Sequence, residues 1–269
     1  MAGELNGATA IITGAGRGFG RAIALRFAAE GAAVTVTART RSQIESTAAE
    51  IKSAGGRAFA IPGDVTRRED VARVVQAATE TFGPPTLLVS NAGLPGPFGP
   101  IGVVDPDVWW ASQAVHVRGP LLFASAVLPH MQKLGGGRII VIASRGGNEI
   151  AASLSAYCVG KGTQIRLAQH LAAEGGEHGV RAFAIEPGTV ITDMAEDTMA
   201  SPDAQRWLPH MIEALRQIKA QDNAAEGFAR CTTMCVKLAS GRYDALSGRY
   251  LTPEDDFDAL VRGEKTHGG

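Results

Sequence analysis

The chain alternates along its length between short β-branched apolar runs and longer stretches of helical period. Residues 8–13, 33–38, 57–61, 86–90, 138–143 and 180–186 read as strands, and each leads, directly or through a loop, into a segment of helical spacing. A strand–helix rhythm of this kind admits few topologies, because parallel strands need crossovers and crossovers are right-handed. A further short strand is expected at 247–252. The predicted fold is α/β: a doubly wound, mainly parallel seven-stranded sheet with helices on both faces. Ligands on such a sheet belong at the carboxyl ends of the strands.

The first strand runs into Gly14-Ala15-Gly16-Arg17-Gly18-Phe19-Gly20, and an Ala/Leu-rich helix follows to about residue 30. Strand, glycine turn and helix together are the setting that dinucleotide binding requires, and they make the sheet Rossmann-like. The glycines let backbone approach a pyrophosphate, and the helix start offers free N–H groups. The second strand ends at Arg39-Thr40-Arg41-Ser42, with no acid between Glu30 and Glu45. An NAD site usually places an acid there for the ribose 2′-hydroxyl. Arg39, with Arg41 and with Arg17 in the glycine turn, suits a 2′-phosphate instead. The expected cofactor is NADP(H) in preference to NAD(H); the alternative is that these arginines are solvated loop residues.

The apolar run 138–143 ends at Ser144, and Tyr157 and Lys161 follow four residues apart in a segment that can be helical. That spacing puts phenol and ammonium on one helix face. A free tyrosine titrates near ~10, and a neighbouring cation lowers that value. The pair is a candidate general acid/base, with Ser144 as a hydroxyl to hold a substrate oxygen. Taken alone, the same pair also describes a half-buried Tyr beside a solvated Lys.

Lys+Arg number 26 against Asp+Glu 27, so no basic excess points to nucleic acid or an anionic membrane. No apolar stretch approaches the ~20 residues of a membrane span. The segment 1–7 lacks the pattern of a secretory signal. Cys158, Cys231 and Cys235 form no disulfide framework and suit a reducing compartment, so a cytoplasmic location is expected. Cys231 and Cys235 could share a helix face but find no further ligands nearby, and no metal site is predicted.

The chain is expected to form a single catalytic domain over 1–269. Helices are expected at 43–54, from a Thr66 cap to about 82, across 108–134 with a kink at Gly119-Pro120, and at 224–239. The Met- and Trp-bearing stretch 193–222 reads either as a substrate cap or as ordinary packed helix. The tail from about Val261 reads as frayed.

With these residues assembled, residues 5–252 or so resemble the short-chain dehydrogenase/reductase family. The glycine turn after Thr13 resembles its TGxxxGxG loop, and Asn91-Ala92-Gly93 its NAG. Ser144 precedes Tyr157 at the family spacing, Tyr157-Cys158-Val159-Gly160-Lys161 matches YxxxK, and Pro187-Gly188 with Thr192 matches PGxxxT. The resemblance implies that Gly14, Gly18 and Gly20 shape the phosphate turn. It implies that Asp64 and Val65 hold adenine, that Asn91 lies along the cofactor, and that Thr192 with the backbone near Val190 holds the carboxamide. It implies that Tyr157 exchanges a proton with a carbonyl or alcohol as hydride is transferred, that Lys161 binds the ribose and lowers the phenol pKa, and that Ser144 orients the substrate oxygen. A homotetramer is implied as well, acting on a small carbonyl or alcohol. The family carries an Asn where this chain has His116, and that residue's main-chain carbonyl helps hold a water linking the lysine to solvent. His116 reads either as a different proton relay or as a packed imidazole. Arg145 should reach the substrate side, either to select an acidic or polar substrate or merely to face solvent or Glu149. Two further readings are a catalytically silent nucleotide-binding regulator and an epimerase or dehydratase on the same fold.

Overall fold

A computed structural model describes residues 3–221 and 223–263. The expected frayed tail lies largely outside those residues, as do the first two residues of the N-terminal segment and Asp222 at the end of the expected cap.

The strand and helix rhythm becomes β1 (Thr9–Thr13), α1 (Gly18–Ala29), β2 (Ala33–Thr37), α2 (Arg41–Ser53), β3 (Arg57–Ala60), α3 (Arg68–Phe82) and β4 (Leu87–Ser90). It continues as α4 (Pro106–Gln113), a π-helical turn at Ala114–Arg118, α5 (Gly119–Lys133), β5 (Gly137–Ile142), α6 (Ser155–Gly175) and β6 (Val180–Ile185). The chain then forms α7 (Asp193–Ala200), α8 (Pro202–Trp207), α9 (Pro209–Ala220), α10 (Ala224–Ala239), β7 (Tyr250–Leu251) and α11 (Phe257–Val261). All seven strands are parallel neighbours in the order β3-β2-β1-β4-β5-β6-β7. The order reverses direction between β1 and β4, which opens a crevice above their carboxyl ends.

Alternation along the strands feeds two cores. In β5, Ile140 and Ile142 face the layer of α1, α2 and α10, with Phe27, Ile44 and Met234. Ile139 and Val141 face the layer of α3, α5 and α6, with Val74, Phe123 and Ile165. Strands buried on both sides this way need nearly continuous apolar sequence, which explains the runs TAIIT and GRIIVI.

One local expectation is corrected, and another takes a definite form. Thr66 does not cap α3; its N–H and hydroxyl both bond Asp64 Oδ1 at 2.8 Å, and Arg67 stands at the cap position without a side-chain bond. The expected interruption at Gly119-Pro120 takes the form of a π turn at Ala114–Arg118 that ends against this pair, with which α5 opens. The stretch expected as a cap is three short helices, α7 to α9, joined by a small cluster of Met199, Ala204 and Ile212.

Candidate active site

A cleft of about 990 Å³ lies over the carboxyl ends of the strands and collects the predicted residues. Gly14, Arg17, Gly18, Phe19, Arg39, Asp64, Val65, Asn91, Ala92, Gly93, Ser144, Tyr157, Lys161, Pro187, Gly188, Val190 and Thr192 all line it. Gly20 and His116 stand behind its wall. A second cavity of about 580 Å³, between Gln169 and Arg249, collects none of them.

The glycine turn fits a dinucleotide pyrophosphate. Gly14 and Gly18 have φ of +64° and +55°, a conformation L side chains rarely adopt. A Cβ on Gly14 would lie 2.8 Å from Asn91 Nδ2, and one on Gly20 would strike the Gly14 carbonyl. α1 begins without a side-chain cap, so its first N–H groups remain for a ligand. Asn91 ties the turn down: its Nδ2 donates to Thr13 O at 2.9 Å and Gly14 O at 3.2 Å, while Thr13 Oγ1 accepts from Asn91 N and Ala92 N. Asn91 thus braces the cradle and its flanks as well as lining the cleft.

At the far end Arg39 lines the cleft with Thr40, Gln43, Asp64 and Val65. The three arginines part company here. Arg41 pairs with Glu45 at 3.2 Å outside the cleft lining, and Arg17 reaches Asp197 at 3.3 Å on α7. Thr192 caps α7 by accepting from Ala195 N at 3.4 Å.

The candidate catalytic end is built where β5 stops. Ser144 Oγ accepts from Gly146 N at 3.2 Å and hydrogen-bonds the Tyr157 phenol. Lys161, 5% exposed, donates from Nζ to Ile142 O at 2.7 Å and lies 5.6 Å from the Tyr157 ring centroid. Burial draws its ammonium down to about 7. The expectation of a lowered Tyr157 phenol is corrected: burial is the largest influence and pushes it up, with the Ser144 hydrogen bond opposing.

His116 sits in the π turn, fully buried and edge-on to Tyr157, with centroids 5.7 Å apart and planes at 88°. Its Nε2 is 2.9 Å from Leu94 O and 3.4 Å from Leu94 N, so the backbone of Leu94 holds this nitrogen in either tautomer. Burial and the charge of Lys161 pull the imidazole down to about 3, so it is neutral across ordinary pH. Its carbonyl accepts from Gln164 Nε2 at 2.9 Å. Its Nδ1 is buried without a hydrogen-bond partner among the described residues.

Arg145 pairs neither with Glu149 nor with solvent alone. Its Nε and Nη2 donate to Glu186 Oε1 at 3.3 and 3.2 Å, and the Tyr250 hydroxyl donates to Oε2 at 3.2 Å. Glu186 and Gln164 escaped the sequence reading. The available signal for Glu186 was a carboxylate directly after the apolar buried run 182–185, which requires a partner. Among the described residues no cluster of His, Cys, Asp and Glu can hold a metal ion, and no helix is long and apolar enough to cross a membrane.

Residues 8–203 match the family model described as short chain dehydrogenase. The sequence is 31% identical over 271 residues to a short chain dehydrogenase of Pseudocercospora fijiensis, covering 99% of this chain and 86% of that one. It is 34% identical over 260 residues to the A-factor type gamma-butyrolactone 1′-reductase (1S-forming) of Streptomyces virginiae, covering 96% and 98%. Among solved structures, a 7α-hydroxysteroid dehydrogenase complexed with NADH and 7-oxo glycochenodeoxycholic acid superposes with a TM-score of 0.80 at 28% identity, covering 92% of this chain and 93% of that one.

Proposed function

The chain belongs to the short chain dehydrogenase family, and on that premise we propose that it interconverts a carbonyl and a secondary alcohol, prefers NADP(H), and uses Tyr157 as its general acid/base. The observation that carries this reading is the meeting of Ser144, Tyr157 and Lys161 at one end of a cleft whose other end is a glycine cradle. A bound nicotinamide dinucleotide supplies or accepts the hydride. The remaining work falls to the chain. Ser144 holds the substrate oxygen. In reduction, the electron pair arrives at the carbonyl carbon with the hydride and Tyr157 gives its proton to the oxygen; in oxidation both moves reverse. A phenol pushed up by burial is protonated at neutral pH, the form that reduction needs. Lys161 holds the cofactor ribose and sets a cation beside the phenolate left after transfer.

The NADP(H) preference rests on Arg39. It lines the cleft with no side-chain hydrogen bond or ion pair to any of the described residues, and no acid stands between Glu30 and Glu45. The 7α-hydroxysteroid dehydrogenase neighbour holds NADH, so the preference is argued from this chain's arginine alone. We read the whole chain as one catalytic domain with α7–α9 as its cap, because Met194, Thr198, Met211 and Leu215 line the cleft. A homotetramer is supported by apolar side chains left exposed on α4, α5 and α6: Trp110, Leu121 and Val159. A cytoplasmic location is supported by three free thiols.

The test is NADPH oxidation against a carbonyl panel, with NADP⁺ reduction against the matching alcohols. Tyr157→Phe is expected to lower kcat roughly 10²- to 10⁴-fold while cofactor binding persists. Arg39→Asp is expected to reverse the cofactor preference. Turnover that survives Tyr157→Phe would sink the acid/base assignment. Tight cofactor binding without net cofactor consumption would move the reading to an epimerase or a regulator.

A further inference from the structure

Beyond Ser144 and Tyr157 the cleft is walled by Leu94, Pro95, Leu154, Met194, Met211 and Leu215. Amid this apolar lining stands the Arg145–Glu186 pair, and its two members are used unequally. The Glu186 side chain is 10% exposed and both its carboxylate oxygens are occupied, one by Arg145 and one by the Tyr250 hydroxyl. The Arg145 side chain lines the cleft, is 62% exposed and commits only Nε and Nη2, which leaves Nη1 without a hydrogen bond to the described residues. The charge is already balanced. Glu149 and Glu254 also bear on the guanidinium, so it stands among three carboxylates.

A carboxylate on the substrate would meet a cation already paired with Glu186, with Glu149 and Glu254 also bearing on it. An ammonium would shed its hydration against methionine and leucine. A hydroxyl or carbonyl oxygen meets neither obstacle and gains a hydrogen bond from a charged donor. The methionines of the cap are unbranched and adaptable, which suits a bulky apolar body better than a small polar one.

We propose that the substrate is a bulky, uncharged, mainly apolar ketone or secondary alcohol carrying a second oxygen acceptor, and that Arg145 determines specificity by binding that acceptor. The proposal rests on the oxidoreductase reading of the same cleft and names its substrate class. It also turns the two sequence expectations for Arg145 into one, a polar contact without selection for an acid.

The test uses the full chain, NADPH and three probes: 2-decalone, a hydroxy-2-decalone, and a 2-decalone carboxylic acid. The hydroxy-ketone is expected to have the highest kcat/KM and the carboxylate the lowest. In Arg145→Leu the advantage of the hydroxy-ketone over plain decalone should fall roughly tenfold to a hundredfold, chiefly through KM. A merely structural role would move both substrates together. Because that variant strands Glu186, Arg145→Leu with Glu186→Gln is measured beside it, with NADPH binding as the check on folding; Arg145→Lys should restore part of the advantage. A carboxylate that outperforms the hydroxy-ketone would overturn the proposal, as would an advantage unchanged in the double variant. Reduction of open-chain carbonyls but of no decalone would overturn it while leaving the proposed reaction standing. Failure to reduce any carbonyl, with NADPH bound, would take down both.

Discussion

The floor of the cleft and its cap are held by different means. The floor is α6 packed through glycines. A Cβ on Gly160 would lie 2.7 Å from His116 Cβ, and one on Gly147 would lie 2.8 Å from the Lys161 carbonyl carbon. Buried amides stitch the same contact: Gln113 Nε2 donates to Ala156 O at 2.8 Å and Gln164 Nε2 to His116 O at 2.9 Å. The cap, α7 to α9, has a core of only Met199, Ala204 and Ile212 with a few half-buried neighbours, and its ties to the glycine turn are exposed pairs such as Arg17–Asp197. The difference matches two tasks. Proton transfer demands placement to a fraction of an ångström, and packing supplies it. Fitting a substrate body tolerates, and benefits from, a weakly anchored wall.

The comparison can be broken most forcefully with acid. His116 has a folded value of about 3 against an ordinary 6.5, so the unfolded chain binds the extra proton and stability falls as pH drops from 6.5 toward 3. Glu30 and Asp70, whose carboxyls are depressed by hydrogen bonds, lose their contribution only as pH falls through their own lower range, with ordinary values of 4.5 and 3.8. Between pH 6.5 and 4.5 the floor should therefore lose about 2–3 kcal/mol through His116, read by urea unfolding. His116→Asn should flatten that slope; a slope that persists would show that the imidazole is not the buried neutral group described.

Gly160→Ala comes next. Overpacking against His116 costs about 1–3 kcal/mol, and the better helix propensity of alanine returns about 1, leaving a net loss of up to about 2 kcal/mol and a lower kcat. Met211→Ala should raise KM severalfold for an apolar substrate while leaving NADPH affinity and the unfolding midpoint nearly unchanged. If it costs as much stability as Gly160→Ala, the cap is not the looser region. Asp197→Asn should have the smallest effect, below about 1 kcal/mol and smaller still in high salt, because the pair it breaks is solvent-exposed.

Much of the site was legible because its residues sit at strand ends, and strand ends are marked by where apolar runs stop. Ser144 closes β5 and Pro187-Gly188 follows β6 this way. The glycines of the turn were legible because backbone conformation restricts residue type. Asn91 was legible as a cleft residue but not as the brace of the glycine turn, since that role depends on Thr13 and Gly14 arriving beside it from a separate strand. An interruption at Gly119-Pro120 was legible because proline announces a break by its own chemistry, whereas the π turn at Ala114–Arg118 that carries His116 and ends against that pair has no residue signature of that strength.

The sequence by itself determined the α/β rhythm, the parallel sheet, the glycine cradle and the spacing of Ser144, Tyr157 and Lys161. All of these follow from local periodicity and from the conformations single residues permit. Only the tertiary structure decided the charges and their partners. Arg145 finds Glu186 across 41 positions of sequence, and Arg17 finds Asp197 across 180, while Arg39 lines the cleft without an ion pair to any of the described residues. It also decided that burial pushes the Tyr157 phenol up and holds His116 neutral. Electrostatic state depends on distance and on exclusion of water, and neither exists until elements far apart in the chain have packed together.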